Sequence, residues 1–335
     1  MDSTIDLSII VPIYKVEQFI ERCAHSLFTQ TYQNIEYIFV NDCTPDKSVE
    51  VLENVISQYP HLQIKIRIIH HDKNKGVAVA RNTGLEAAQG EYVLQVDSDD
   101  WVEQTMIEEL VLEAKKSNAD IVWTDFYVDY PNSSKPSIYR EQNIPESSNE
   151  CINAILRGTM HGGSWNKIIK RELIISNTLR FPAGVNMCED MVFVILCLLK
   201  TETIHYYPNA FYHYVQNENS ITIATNRKTF ESQFAAIKIL EEKIPLELYE
   251  ETLNLYKARL KNAVFLSGLF TNTEFRNCYP EANDQVVNCA NGRLYKIALK
   301  FAMLNNFFFA NLIILSSRVV FYLIENFKVL LNVKD

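Results

Sequence analysis

Two hydrophobic periods alternate through roughly the first 125 residues, and few architectures accommodate that pattern. Leu7 to Ile13 is a continuous apolar run, as in a strand buried on both faces. Val16, Phe19, Ile20, Cys23, Ala24, Leu27 and Phe28 then recur at helical spacing. Strand-like runs return at Ile35 to Val40, Ile64 to Ile69, Tyr92 to Val96 and Ile121 to Thr124. Helix-like runs separate them: Val49, Leu52, Val55 and Ile56; Val77, Ala80, Leu85 and Ala88, closed by Gly90; and Met106, Ile107, Leu110, Val111 and Ala114. Strands alternating with helices of this length predict βαβ units and a mainly parallel α/β sheet. Ligands of such sheets bind beyond the carboxyl ends of the strands. The polar segments Asn41 to Ser48, His70 to Gly76 and Asp97 to Asp100 all follow predicted strands, so one crevice is expected to collect them.

The remainder is less regular. Pro131 to Asn149 is rich in Pro, Ser and Asn and reads as a surface loop or hinge. A helix (Cys151 to Arg157), a Gly-rich turn (Gly158 to Gly163) and a mixed region to about Ser220 follow. From Phe230 onward the pattern is helical. The expected division is a domain over 1–225, made of a half over 1–130 and a half over 131–225, and a helical C-terminal region over 226–335. Ile297 to Val333 is strongly apolar, and Arg318 in mid-segment argues against a spanning helix. Two readings stay open there: a buried helix pair, or an amphipathic surface at a membrane face with Lys296, Lys300, Arg318, Lys328 and Lys334 nearby.

A net charge of -9 argues against nucleic acid as the main partner, because phosphate neutralisation needs a basic footprint. The seven cysteines include no Cys-x-x-Cys pair, and the acidic start reads as a strand leader, not a signal peptide. Together these point to a reducing cytoplasm.

Asp97-Ser98-Asp99-Asp100 puts three carboxylates into four residues at a strand end. Such charges repel, and a hard divalent cation such as Mg2+ or Mn2+ relieves them. The competing reading is an acidic N-cap for the next helix. Asp42 ends another strand, where a carboxylate can accept from a base N–H or a ribose hydroxyl, or simply form a turn. Lys75 and Arg81 flank a predicted helix start at Gly76, a suitable place for a phosphate.

Five segments in order resemble family 2 glycosyltransferases: Ser8 to Tyr14, Ser26 to Tyr32, Val40 to Asp46, Lys75 to Gly84 and Gly90 to Asp100. The resemblance is specific over about the first 125 residues and weaker to about residue 220. It implies a GT-A fold, in which the α/β sheet is doubly wound, and inverting transfer of a sugar from a nucleotide-sugar with Mg2+ or Mn2+, in a hexosyl- or hexosaminyltransferase of the bacterial polysaccharide-biosynthesis type. By the same resemblance Pro12 and Tyr14 line the nucleotide pocket, and Asp42 contacts the base. Asp97, with Ser98, sits near ribose and diphosphate, and Asp99 and Asp100 hold the metal. Asn41 stands where the family often has an acidic residue, and Cys43-Thr44 where it has Gly-Ser.

On the acceptor side, Glu189-Asp190 precedes a run of apolar residues and is expected to open a helix at the pocket wall. It resembles the family's Glu-Asp motif, with Asp190 as general base and Glu189 as an acceptor or structural contact. Trp165-Asn166-Lys167 also resembles a family segment, with Trp165 available to a sugar face and Lys167 to a phosphate; a core tryptophan is the alternative. His213 is a candidate metal or diphosphate contact, or a structural histidine. The expected donor is a UDP-sugar, and the expected acceptor a saccharide or lipid-linked hydroxyl. A nucleotidyltransferase is the rival enzyme, but Pro12 to Glu17 lacks its Gly-rich loop. A catalytically inactive sugar-nucleotide-binding module is the non-enzymatic alternative.

Overall fold

A computed structural model describes residues 5–142, 144–217, 226–290 and 292–316 of the chain. The described residues divide into two compact units, one drawn from Met1–Ala224 and Glu231–Ile244, the other from Thr225–Phe230 and Pro245–Asp335.

The first unit is built on one sheet. Its strands are β1 (Leu7–Ile13), β2 (Ile35–Asn41), β3 (Ile66–His70), β4 (Tyr92–Gln95), β5 (Trp101–Val102), β6 (Ile121–Asp129), β7 (Ser137–Tyr139), β8 (Lys167–Lys170) and β9 (Ile204–Val215). They lie in the order β3-β2-β1-β4-β8-β6-β9-β5, with β7 on β6. The ladders among β1, β2, β3 and β4 and between β6 and β9 are parallel. Short antiparallel ladders join β4 to β8, β8 to β6, β5 to β9 and β7 to β6. The expected α/β sheet is therefore present, parallel in its first half and mixed in its second.

All seven residues of β1 are buried, which explains its unbroken apolar run. Helices α1 (Ile20–Phe28), α2 (Ser48–Ser57), α3 (Val77–Ala87) and α4 (Met106–Ser117) fill the predicted intervals. Leu7, Ile9, Val11, Leu94 and Val96 form one core face with Cys23, Leu27, Met106 and Leu110. Alternate strand residues point the other way, where α3 lies against Ile10. Helix α4 carries Glu108 and Glu109 in its first turn and Lys115 and Lys116 in its last, each matched to the helix dipole.

The third strand starts later than its apolar run. Pro60–Lys65 forms a 3-10 turn first, and Ile64 is 93% exposed. The Pro131 to Asn149 loop contains β7, and the mixed region resolves into α5 (Ser148–Arg157), β8, α6 (Arg171–Ser176), α7 (Glu189–Leu198) and β9. Helix α8 (Arg227–Lys243) follows.

The second unit is helical: α9 (Leu246–Ser267), α10 (Asn272–Asn277), α11 (Asn283–Val286), α12 (Arg293–Met303) and a further helical stretch from residue 307. Thr271 and Glu274 close a capping box on α10. Lys261, 1% exposed, donates to the carbonyls of Arg276 and Cys278 and to Asn283, tying α9 to the loops above it. Among the described residues no helix is long and apolar enough to cross a membrane. The last part of the apolar C-terminal segment, from residue 317 on, lies outside the described residues.

Gly84 sets how closely α3 approaches the sheet. A Cβ there would lie 2.2 Å from Ile10 Cγ2. Alanine would gain about 1 kcal/mol of helix propensity, but overpacking costs typically 1–3 kcal/mol, roughly, and the overlap here is severe. Gly84→Ala is expected to lower stability by about 2 kcal/mol in urea unfolding, and the double variant with Ile10→Ala to lose less than the two single changes added together.

Candidate functional site

The sheet changes direction at β1, with β2 and β3 to one side and β4 to the other, and ligands of such sheets bind in a crevice beyond the carboxyl ends of the strands at that point. The candidate residues lie on the loops after β1, β2, β3 and β4. Pro12 is buried at the end of β1, and Tyr14 just beyond is 41% exposed. After β2, Asp42 is almost fully buried. Its Oδ1 accepts from the backbone N–H of Lys75 at 2.8 Å and faces His71 Nδ1 at 2.7 Å, while Oδ2 accepts from the N–H of Gly76 at 2.8 Å. Asp42 thus holds the 71–76 loop against the sheet. Gly76 is required at this point: its φ is +89°, and a Cβ would meet Asn186 Oδ1 at 2.8 Å. The Lys75 side chain reaches outward to Asp72 at 2.9 Å.

The acidic turn after β4 is not a helix cap. It is closed by Asp100 N–H donating to Asp97 O at 3.0 Å and runs into β5, and α4 starts only at Met106. Its three carboxylates have different surroundings. Asp100, 1% exposed, accepts from the Tyr212 hydroxyl and from Val215 N–H, both at 2.7 Å. Both of its oxygens are therefore held by β9, a disposition at odds with the metal-ligand role expected for it. Asp99 accepts from the Asn217 side chain at 3.1 Å. Burial, and then the charge of Asp97, push the Asp99 carboxyl up to about 6. Ser98 is buried between them.

Asp97 points to Arg81 on α3. The Arg81 guanidinium, 3% exposed, donates through Nη2 to Asp97 at 2.7 Å. Through Nη1 it donates to Glu189 at 2.6 Å and to Asp190 at 2.5 Å. Burial would favour a neutral arginine, but Asp190, Asp97 and Glu189 outweigh it and hold the charge firmly. The expected phosphate contact is therefore the clamp that joins the acidic turn to the Glu-Asp pair. Glu189 and Asp190 open α7, after Cys188 in a left-handed conformation (φ 68°). Asp190 also accepts from Ser164 Oγ at 3.0 Å. Burial above all raises its pKa to about 7, against the opposing pull of Arg81.

Three other expected contacts have structural surroundings. Lys167, 1% exposed, donates to the carbonyls of His161 (3.0 Å) and Gly163 (2.8 Å) and to Asn166 Oδ1 (2.7 Å). Burial pushes its ammonium down to about 8. It braces the 161–166 loop that presents Ser164, and its charge is used there, not on a phosphate. Trp165 is 4% exposed, stacked on Tyr212 at 4.5 Å and edge-on to Phe126 at 4.7 Å, so its faces are taken by the core and not open to a sugar. His213 lies between Trp101 (3.5 Å) and Tyr127 (4.5 Å). Its two ring nitrogens meet Asp129 at 2.9 Å and Glu103 at 3.0 Å, which leaves neither for a metal.

Sequence reading missed Ser164, Tyr212 and Val215 as parts of the site. The alternation in β9 carried the signal for one of them: with His213 facing one side of the sheet, Tyr212 faces the other. Nothing local to Ser164 marks it.

The donor set suits a hard divalent cation. It consists of carboxylate oxygens, with Asp99 destabilised by its like-charged neighbour. Among the described residues no group of three or more Asp, Glu, His or Cys is placed to hold a metal ion.

The family model of glycosyl transferase family 2 matches residues 8–176, half of the chain. The cholesterol galactosyltransferase of Borreliella burgdorferi is 30% identical over 75% of this chain and 71% of its own length. The poly(ribitol-phosphate) beta-N-acetylglucosaminyltransferase TarP of Staphylococcus aureus is 27% identical over 90% of this chain and 86% of its own. Among solved structures, S. aureus TarS 1-349 in complex with UDP-GlcNAc superposes with a TM-score of 0.66 at 18% identity, covering 93% of this chain and 91% of that one. The order of the strands, the acidic turn at the end of β4 and this family match agree: the chain belongs to glycosyl transferase family 2 and is a glycosyltransferase.

Proposed function

We propose that this glycosyltransferase inverts configuration and depends on a divalent metal, moving a sugar from a UDP-sugar to a saccharide or lipid-linked hydroxyl in cell-surface polysaccharide assembly. The observation that carries the reading is the Arg81 clamp, which brings the acidic turn and the Glu189-Asp190 pair into one cluster. Residues 1–130 act as the donor half, 131–225 as the acceptor half, and 226–335 as a helical region making peripheral contact with the cytoplasmic face of a membrane. The family match, and the likeness in fold between this chain and TarS crystallised with UDP-GlcNAc, support the nucleotide-sugar donor.

In this reading Pro12, Tyr14 and the loop held by Asp42 form the wall for the nucleotide, and Lys75 stands at its mouth. Asp97 and Ser98 border the ribose and diphosphate. Asp99 is the protein ligand for Mg2+ or Mn2+, and Asp100 anchors the turn to β9. The bound metal supplies charge neutralisation for the departing diphosphate. Asp190 accepts the acceptor's proton as the hydroxyl oxygen forms its bond to the anomeric carbon and the bond to the diphosphate breaks. Its raised pKa suits that task, since a base works best near the ambient pH. Arg81 and Ser164 fix its orientation.

Calorimetry is expected to show UDP binding that needs Mn2+ or Mg2+ and is lost on adding a chelator; binding indifferent to metal would remove the metal from the mechanism. Asp190→Asn is expected to cut kcat by about 10²–10⁴-fold with donor affinity little changed. Persisting turnover would place the base elsewhere. The base must be ionised, so kcat/KM is expected to rise with pH through a limb near 7. Ser164→Ala removes a hydrogen bond that favours the charged form of Asp190. Its limb should therefore move to higher pH, whereas a merely structural serine would lower activity at every pH alike.

A further inference from the structure

Among the described residues, the second unit carries an apolar surface that no other described segment of the unit covers. Along α12 and the helical stretch from 307, one set of residues is buried: Ala298, Leu299, Ala302, Ala310 and Ile314. That set forms the packed side of the two helices. A second apolar set faces outward: Leu294, Ile297, Leu304, Phe308, Leu312 and Leu315, with Leu304 77% and Phe308 74% exposed. Within each helix the steps are of three or four residues, which puts Leu294 and Ile297 on one side of α12 and Phe308, Leu312 and Leu315 on one side of the next helix, with Leu304 in the turn between them. Exposed apolar side chains gathered in this way mark an interaction site.

Charge identifies the partner. The chain has a net charge of -9, yet no Asp or Glu occurs between Asp284 and Glu325. The same interval holds Arg293, Lys296, Lys300 and Arg318. On α12 the exposed Arg293, Lys296 and Lys300 repeat at i, i+3 and i+7, one position before Leu294, Ile297 and Phe301. One position is about 100° around a helix, so the basic row runs beside the apolar row. Long basic side chains at that angle keep their heads at the level of lipid phosphates while the apolar row enters the acyl boundary. A two-fold contact with a second copy would instead bring the two basic rows together.

We infer that the outward face of α12 and the following helix is a docking surface for an anionic lipid bilayer. This deepens the proposed membrane contact and rests on it; it does not depend on the chemistry of transfer. The function it would serve is to hold the enzyme where lipid-linked acceptors are concentrated.

The test is co-sedimentation of the full chain with vesicles of phosphatidylcholine alone and of phosphatidylcholine mixed with phosphatidylglycerol. Binding is expected to the mixed vesicles and to be weakened by salt. The double variants Leu304→Ser/Phe308→Ser and Lys296→Gln/Lys300→Gln should each lower partitioning by about tenfold or more. Both variants should keep metal-dependent UDP binding, which also reports that the first unit is folded. The inference is overturned if the wild-type chain ignores the mixed vesicles while binding UDP. It is also overturned if both double variants bind as the wild type does, or if light scattering shows a dimer that the Leu304→Ser/Phe308→Ser variant dissolves. A wild-type chain that binds the vesicles and not UDP leaves this surface standing and defeats the donor reading instead.

Discussion

A single buried guanidinium organises the site. Arg81 holds Asp97, Glu189 and Asp190, which lie 16, 108 and 109 residues away along the chain. Without it, three carboxylates would share a poorly hydrated crevice and repel one another. Removing one partner of a buried ionic cluster typically costs about 3–5 kcal/mol. The same contact sets the spatial relation between the acidic turn and the opening of α7. It depends in turn on α3 lying close to β1, which Gly84 permits. The geometry of the crevice is therefore a consequence of one ion cluster and one missing side chain.

Around that centre the fold supplies bracing more than additional reactive groups. β9 ties down the acidic turn through Tyr212 and Val215, and both contacts fall on Asp100. Lys167 ties the 161–166 loop through three acceptors, and that loop offers Ser164 to Asp190. Asp42 ties the 71–76 loop. Each of these polar groups is buried and paired, as the low dielectric of the interior requires. The pairing also divides neighbouring carboxylates by task. Asp100 has its oxygens committed to the sheet, Asp99 accepts from Asn217, and Asp190 is raised toward neutrality by burial.

The legible part of the molecule was its local order. β1, β2, β4 and the helices α1 to α4 follow from apolar periodicity, because a strand buried on both faces and an amphipathic helix leave different spacings. In the second half of the sheet only the start of β6 was legible, at Ile121 to Thr124. β5 is two residues long, too short for a period to register, and β8 carries a lysine at each end of two isoleucines. β9 alternates aromatic and polar residues, which periodicity does not separate from a loop. Trp165, Lys167 and His213 show the same boundary. Their residue types permit ligand contact, and only their neighbours decide against it: Tyr212 and Phe126 around Trp165, three acceptors around Lys167, two carboxylates around His213.

What the sequence by itself determined was the α/β alternation, the placing of Asp42 and Asp97 to Asp100 at strand ends, and the Glu189-Asp190 start of a helix. These are properties of neighbours along the chain, governed by backbone sterics and hydrophobic period. What only the tertiary structure decided was which charged groups meet. Arg81 joins the carboxylates, Asp100 turns to β9, and Ser164 reaches Asp190. Those outcomes depend on the packing of distant segments and on burial, which sets the strength of every charge in the crevice.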